Sequence, residues 1–116
     1  MTVGEAIKQG QLLYPAVYDG EKDYLYINEL EQKICSELLF TDCEEIDSSS
    51  QDRELSAGGA YSSIYPLYLA ARRELDCGDS ERYRLFSSVF EKAYSGYANF
   101  VNRSREKERV TYITTI

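Results

Sequence analysis

The sequence predicts an all-α fold: a small helical bundle of about four helices, interrupted by one long acidic loop and closed by an extended, strand-like C-terminal tail. Three observations carry that reading. Apolar residues recur at steps of three and four along residues 24–38 and 83–100, the spacing of one helical face. Capping and turn residues bracket those stretches. Strand propensity is concentrated in the last seven residues, and no other segment offers them an obvious partner. With 116 residues, 43% of them hydrophobic, the chain has the size of one domain and enough apolar surface to bury a core.

The elements follow in chain order. Thr2-Val3-Gly4-Glu5 reads as a capping box, with the Thr2 hydroxyl accepting from the Glu5 amide and the Glu5 carboxylate reaching back to the Thr2 amide. A first helix with Val3, Ala6 and Ile7 inward should end before Pro15, and Asp19-Gly20 marks a turn. From Glu21 to about Leu39, Tyr24, Ile27, Leu30, Ile34 and Leu38 form a helical stripe, with Glu29 and Lys33 paired on the opposite face. Residues 41–60 break the pattern: Asp42, Glu44, Glu45, Asp47, Asp52 and Glu54 face the single base Arg53, a local charge of −5. Ser48-Ser49-Ser50 and Gly58-Gly59 add flexibility, so a mobile loop is expected.

A third helix covers about Ser63 to Cys77, with Pro66 in its first turn, Ile64, Tyr68, Ala71 and Leu75 on one face, and Gly78 as its stop. Asp79 or Ser80 caps a fourth, which opens on Glu81. Its stripe of Tyr83, Phe86, Phe90, Ala93, Tyr97 and Phe100 is the strongest periodicity in the chain and the expected centre of the core. On that assignment Phe90→Ala costs roughly 3–5 kcal/mol. Arg103, Arg105, Lys107 and Arg109 stand against Glu106 and Glu108, a local charge of +2, before the β-branched tail.

The composition excludes several kinds of chemistry. Histidine is absent, which removes the commonest general base, the Ser-His and Cys-His pairs and the commonest metal ligand. There is no Walker A sequence and no GxGxxG. The acidic loop lacks the ligand spacing and central glycine of an EF-hand. Lys33 and Lys92 lie on charge-rich helical faces and read as solvated. The chain is therefore expected to be no enzyme, with no catalytic residue, no metal and no cofactor. A net charge of −7 argues against a general nucleic-acid binder. No run of roughly 18 apolar residues is present to cross a membrane, and the N-terminus lacks the apolar stretch of a secretory signal. Cys35, Cys43 and Cys77 are odd in number and fit no zinc spacing, so reduced thiols are expected. Of the eleven tyrosines, core packing outweighs partner contact for any one.

Three stretches together resemble a known family: Met1-Thr-Val-Gly-Glu-Ala-Ile, then Tyr61-Ser-Ser-Ile-Tyr-Pro-Leu-Tyr-Leu-Ala-Ala, then Gly78-Asp-Ser-Glu-Arg-Tyr through Phe90-Glu-Lys-Ala-Tyr-Ser-Gly-Tyr-Ala-Asn-Phe-Val-Asn-Arg103. The likeness is to phage head–tail connector proteins, the adaptor or head-completion proteins of tailed phages and prophages of Gram-positive bacteria. It departs from them in the acidic, serine-rich loop and in Arg72-Arg73-Glu74, where family members are more apolar. The resemblance implies a structural virion protein, assembled in the host cytoplasm and placed in the neck at the head–tail interface. Such adaptors form a ring, commonly a dodecamer, between the portal and the neck or tail-completion protein. The ring extends the DNA channel, and DNA passes without specific binding.

On that reading residues 1–109 are a helical adaptor domain and 110–116 a docking tail. Val110, Thr111, Tyr112, Ile113, Thr114, Thr115 and Ile116 are expected to pair as a strand with the portal or a neighbouring subunit. Asp42, Glu44, Glu45, Asp47, Asp52 and Glu54 are expected to face the channel or an adjacent subunit. Arg103, Arg105, Lys107 and Arg109 form a basic patch between subunits, since opposed charges favour the heterologous contacts that close rings. The alternatives are an acidic phage-encoded binding protein, acting as a DNA mimic or inhibitor of a host protein, and a small assembly chaperone.

Overall fold

A computed structural model describes residues 1–13, 20–77 and 80–114, without the side chains of Cys77 and of residues 106–114. Four α-helices follow in order: α1 (Val3–Leu13), α2 (Glu21–Ile34), α3 (Ile64–Cys77) and α4 (Ser80–Thr114). The expected stops at Pro15 and Gly78, the Asp19 turn and the Asp79 cap lie outside the described residues.

Thr2 starts α1 much as its sequence requires. Its hydroxyl accepts from the Glu5 amide at 3.2 Å, while Glu5 Oε1 takes the hydroxyl proton at 3.1 Å. Helix α2 keeps its apolar stripe, and a π-helical turn, Cys35–Leu39, carries it to its expected end. Phe40 then closes the turn at φ 50°, in the left-handed region usually taken by glycine. The Cys35 carbonyl accepts from the Phe40 and Thr41 amides, so the chain reverses sharply there.

That reversal returns Cys43 to Cys35. The two are joined by a disulfide with Cα atoms 6.2 Å apart, which corrects the expectation of reduced thiols. Spacing alone hid the pair, because the reversal that joins them depends on a non-glycine residue with positive φ.

Helix α3, rather than α4, is the centre of the bundle. It packs against all three other helices. Ile64, Tyr65, Leu69, Ala70 and Ala71 are buried along it, together with Arg73 and Glu74. Leu75, expected inward, is exposed, and Tyr68 is half-buried. Among its described residues, helix α4 touches the bundle along one side only. Tyr97 and Val101 are buried, Phe86 and Phe90 only partly, and Phe100 is 46% exposed. The stripe is real, but its aromatic rings sit at the rim: Phe90 lies between Tyr68 and Tyr94, with centroids 5.1 and 5.7 Å away.

Close packing of α1 on α3 depends on Gly10. A Cβ there would stand 2.9 Å from Leu69 Cδ1 and 3.1 Å from Leu69 Cβ. Gly10→Val is therefore expected to destabilise by about 1–3 kcal/mol through overpacking, despite valine's better fit to an apolar helix face. A denaturant midpoint at or above that of the wild type would contradict the close approach.

The acidic segment differs from the expected mobile loop. It is strapped across α1 and α2. Ile46, Leu55 and Ala57 are buried, and the Ile46 amide donates to Asn28 Oδ1 at 2.9 Å. The amides of Val3 and Gly4 donate to the Arg53 and Gln51 carbonyls, and the Leu55 amide donates to the Met1 carbonyl, each at 3.0 Å. An isolated antiparallel bridge joins Thr2 to Glu54. The three apolar residues anchor a segment whose charge made it read as solvated.

The C-terminal expectation is corrected in part. Helix α4 continues through Thr114, so Val110, Thr111, Tyr112, Ile113 and Thr114 are helical rather than extended. Strand propensity here yields to helix propagation, which adds one hydrogen bond for each further residue fixed. Thr115 and Ile116 lie outside the described residues.

Candidate functional site

Three features occupy the surface: the acidic strap, the outer face of α4 and the groove between them. Asp42, Glu44, Glu45, Asp47, Asp52 and Glu54 are all exposed. Two have structural partners. Glu54 Oε2 lies 3.1 Å from the N-terminal ammonium. Asp47 Oδ1 accepts from the Ser49 hydroxyl and amide, and these bonds hold its carboxyl below the ordinary aspartate range.

Of the basic patch, Arg103 is exposed and Arg105 stacks its guanidinium 4.4 Å above the Phe40 ring. The side chains of Lys107 and Arg109 lie outside the described residues. The contact places Arg105 of α4 beside the start of the acidic strap within one chain.

Between strap and helix runs a groove of about 350 Å³, lined chiefly by Leu39, Tyr61, Tyr97, Phe100, Val101 and Arg105. Phe100 stacks on Tyr61 at 4.9 Å and forms one wall. Its aromatic and aliphatic walls, the Ser56 and Ser104 hydroxyls and the Arg105 cation suit an apolar side chain beside an anionic group. The sequence hid this groove because Phe100 belongs to the helical stripe and reads as core. Farther along α4, Leu85 and Val89 are 61% and 43% exposed, one turn apart.

Beneath these surfaces lies a polar framework that the apolar pattern did not reveal. Glu31, 1% exposed, accepts from the Tyr65 hydroxyl at 2.9 Å and from the Ser56 amide and hydroxyl at 2.9 and 3.1 Å. The Ala57 amide donates to the Tyr65 oxygen at 2.9 Å, which completes a link between α2, α3 and the strap. Nearer the start of α2, Asp23 and Arg73 form a buried ion pair. Tyr26 donates to Asp76 beside it. Arg82 Nε lies 3.1 Å from the buried Glu74 Oε1, an electrostatic contact outside good hydrogen-bond alignment. A signal was available: Asp23 and Glu31 fall on the same helical arc as Ile27 and Ile34, so polar groups on an apolar face marked a buried network.

The tyrosines of this framework resist ionisation. Burial, then the Glu31 charge, pushes Tyr65 far above the ordinary value. Burial also raises Tyr26 and Tyr94 to about 12, aided by Asp76 and Glu37 respectively. A pKa raised by folding gives stability that is present below the unfolded value and lost as pH rises through the folded one. The contribution of these tyrosines should therefore be constant below pH 10, the unfolded value, and stability should fall between pH 10 and about 12. Urea titrations across that window check this, and a flat profile would contradict it.

Among the described residues, no group of three potential metal ligands gathers, and no helix is long and apolar enough to cross a membrane. Comparison with protein-family models, curated proteins and solved structures finds no match to this chain.

Proposed function

We propose that the chain is a structural head–tail adaptor, a ring-forming virion protein that sits between the portal and the neck or tail and extends the DNA channel. One observation carries the reading furthest: along its described side chains, α4 keeps Tyr97 and Val101 on the bundle and turns Leu85 and Val89 outward. At roughly 1.5 Å per residue it spans about 52 Å, close to the molecule's 58 Å length. A long helix with unpaired apolar residues on its outer side suits lateral contact between subunits. The three quoted sequence stretches supply the family likeness.

The acidic strap has a role consistent with a conduit. Its exposed carboxylates repel DNA phosphates, so a channel lined by them lets DNA slide without sticking. The end of α4 takes over the docking role first given to a strand.

Sizing in solution tests the proposal. The protein mixed with portal rings from a tailed phage of a Gram-positive bacterium should elute with them at a mass that adds a full ring of copies. Leu85→Glu with Val89→Glu should abolish that association while leaving the helical signal and thermal midpoint close to wild type. Elution as a monomer beside unaltered portal rings would count against the adaptor role.

A further inference from the structure

We infer that the Cys35–Cys43 disulfide is a reversible redox latch, fixing the first turn of the acidic strap to α2 and releasing only residues 40–45 on reduction. The anchors on either side set those limits. Cys35 belongs to the π-helical turn and is buried, whereas Cys43 lies in the strap and is half-buried. Beyond Cys43 the strap is held again at Ile46, buried and bonded through its amide to Asn28. Between them, among the described residues, Gln32 Nε2 ties the strap to α2, donating to the Cys43 and Glu44 carbonyls at 3.2 and 3.3 Å, while Arg53 holds the Glu44 carbonyl from within the strap.

Phe40 supplies the second, independent observation. It is a non-glycine residue at φ 50° and is 73% exposed. A left-handed conformation at such a residue persists only where its surroundings enforce it. The disulfide bridges the turn that contains it. Opening the bond lets Phe40 leave that conformation and withdraws its ring from Arg105, so the latch reaches α4 at Arg105.

The chemistry is thiol–disulfide exchange with a dithiol. One thiolate of the dithiol attacks Sγ of Cys43, the more accessible sulfur. A bond forms to Cys43, the Cys35–Cys43 bond breaks, and Cys35 leaves as a thiolate that takes up a proton. The second thiol of the dithiol, as its thiolate, then displaces Cys43 and closes the reductant's own disulfide. Two electrons and two protons pass to the protein. The freed Cys35 thiol stays buried, with the Ser56 hydroxyl 3.9 Å from its sulfur.

The latch stands independently of the adaptor reading, but its timing rests on it: a virion protein assembles in a reducing cytoplasm with the latch open and meets oxidising surroundings after release, where it closes.

The test uses the full chain carrying Cys77→Ser, so that two cysteines remain. After air oxidation, iodoacetamide should label neither cysteine, even in urea; after dithiothreitol it should label Cys43 in the folded protein and both cysteines in urea. Hydrogen exchange read by NMR should show loss of protection at the Thr41 amide on reduction, with the Ile46 and Leu55 amides unchanged. Cys43→Ser should reproduce that pattern without reductant. Labelling of both cysteines in the oxidised protein would overturn the inference. So would an unchanged Thr41 amide on reduction, or loss of protection spreading through residues 46–57. A chain that latches in this way yet never joins portal rings would sink the adaptor reading and leave the latch standing.

Discussion

Glu31→Ala is expected to destabilise the protein by about 2–4 kcal/mol, a large part of the roughly 5–15 kcal/mol that holds an ordinary domain together. The carboxyl group is the common acceptor for the Tyr65 hydroxyl and for the amide and hydroxyl of Ser56. Tyr65 is fully buried, so its hydroxyl proton loses its acceptor where water does not reach. Glu31→Gln should cost less, because the amide oxygen can still accept from the Ser56 amide. Its NH2 group would then meet the Tyr65 oxygen, which already accepts from the Ala57 amide, and the hydroxyl proton would have no acceptor. Urea denaturation should rank the proteins wild type, Gln, Ala. Equal midpoints for all three would mean that the network contributes nothing to stability.

The second large effect separates the two candidate centres of the core. Ile27 is fully buried beneath α3, whereas Phe90 sits at the rim of α4. Ile27→Ala is expected to cost roughly 2–5 kcal/mol, the ordinary range for an aliphatic side chain truncated in a closed core. Phe90→Ala should fall below the 3–5 kcal/mol of a fully buried phenylalanine, since much of the space it leaves opens to water. Thermal or chemical midpoints measured side by side decide the matter. A larger loss at Phe90 than at Ile27 would restore α4 as the centre.

These contrasts mark how far the fold was legible in the sequence. The helices were readable, and α2 with its π-helical turn ends at Leu39 as expected, because step-three and step-four spacing reports a helix wherever one face is apolar. Burial was less legible. The α4 stripe has the cleanest periodicity, yet periodicity says which side turns inward and nothing about how many neighbours cover it. The central helix α3 reads less clearly because it is covered on several sides and carries Arg73 and Glu74 among its buried residues. Those charges mark the departure from the resembled family, and the structure gives each an oppositely charged partner in Asp23 and Arg82.

The candidate site was less legible still. The six acidic residues are exposed as their charge requires, but Ile46, Leu55 and Ala57 turn their segment into a strap. Three isolated apolar residues among carboxylates have no periodicity to announce them. The Cys35–Cys43 bond depends on the reversal at Phe40, where a residue without glycine's freedom adopts a left-handed conformation, and the groove is hidden because Phe100 belongs to the helical stripe. The tail failed for a different reason: β-branched residues favour a strand only where an edge accepts them, and here α4 continues through Thr114.

Electron microscopy of the protein mixed with portal rings tests the adaptor role most directly. The proposed role predicts end-on averages with an unobstructed central channel and side views with a second layer of density on one face of the portal, sharing its axis. Portal rings that stay bare at saturating protein, or protein bound as scattered single copies without a common axis, would contradict it.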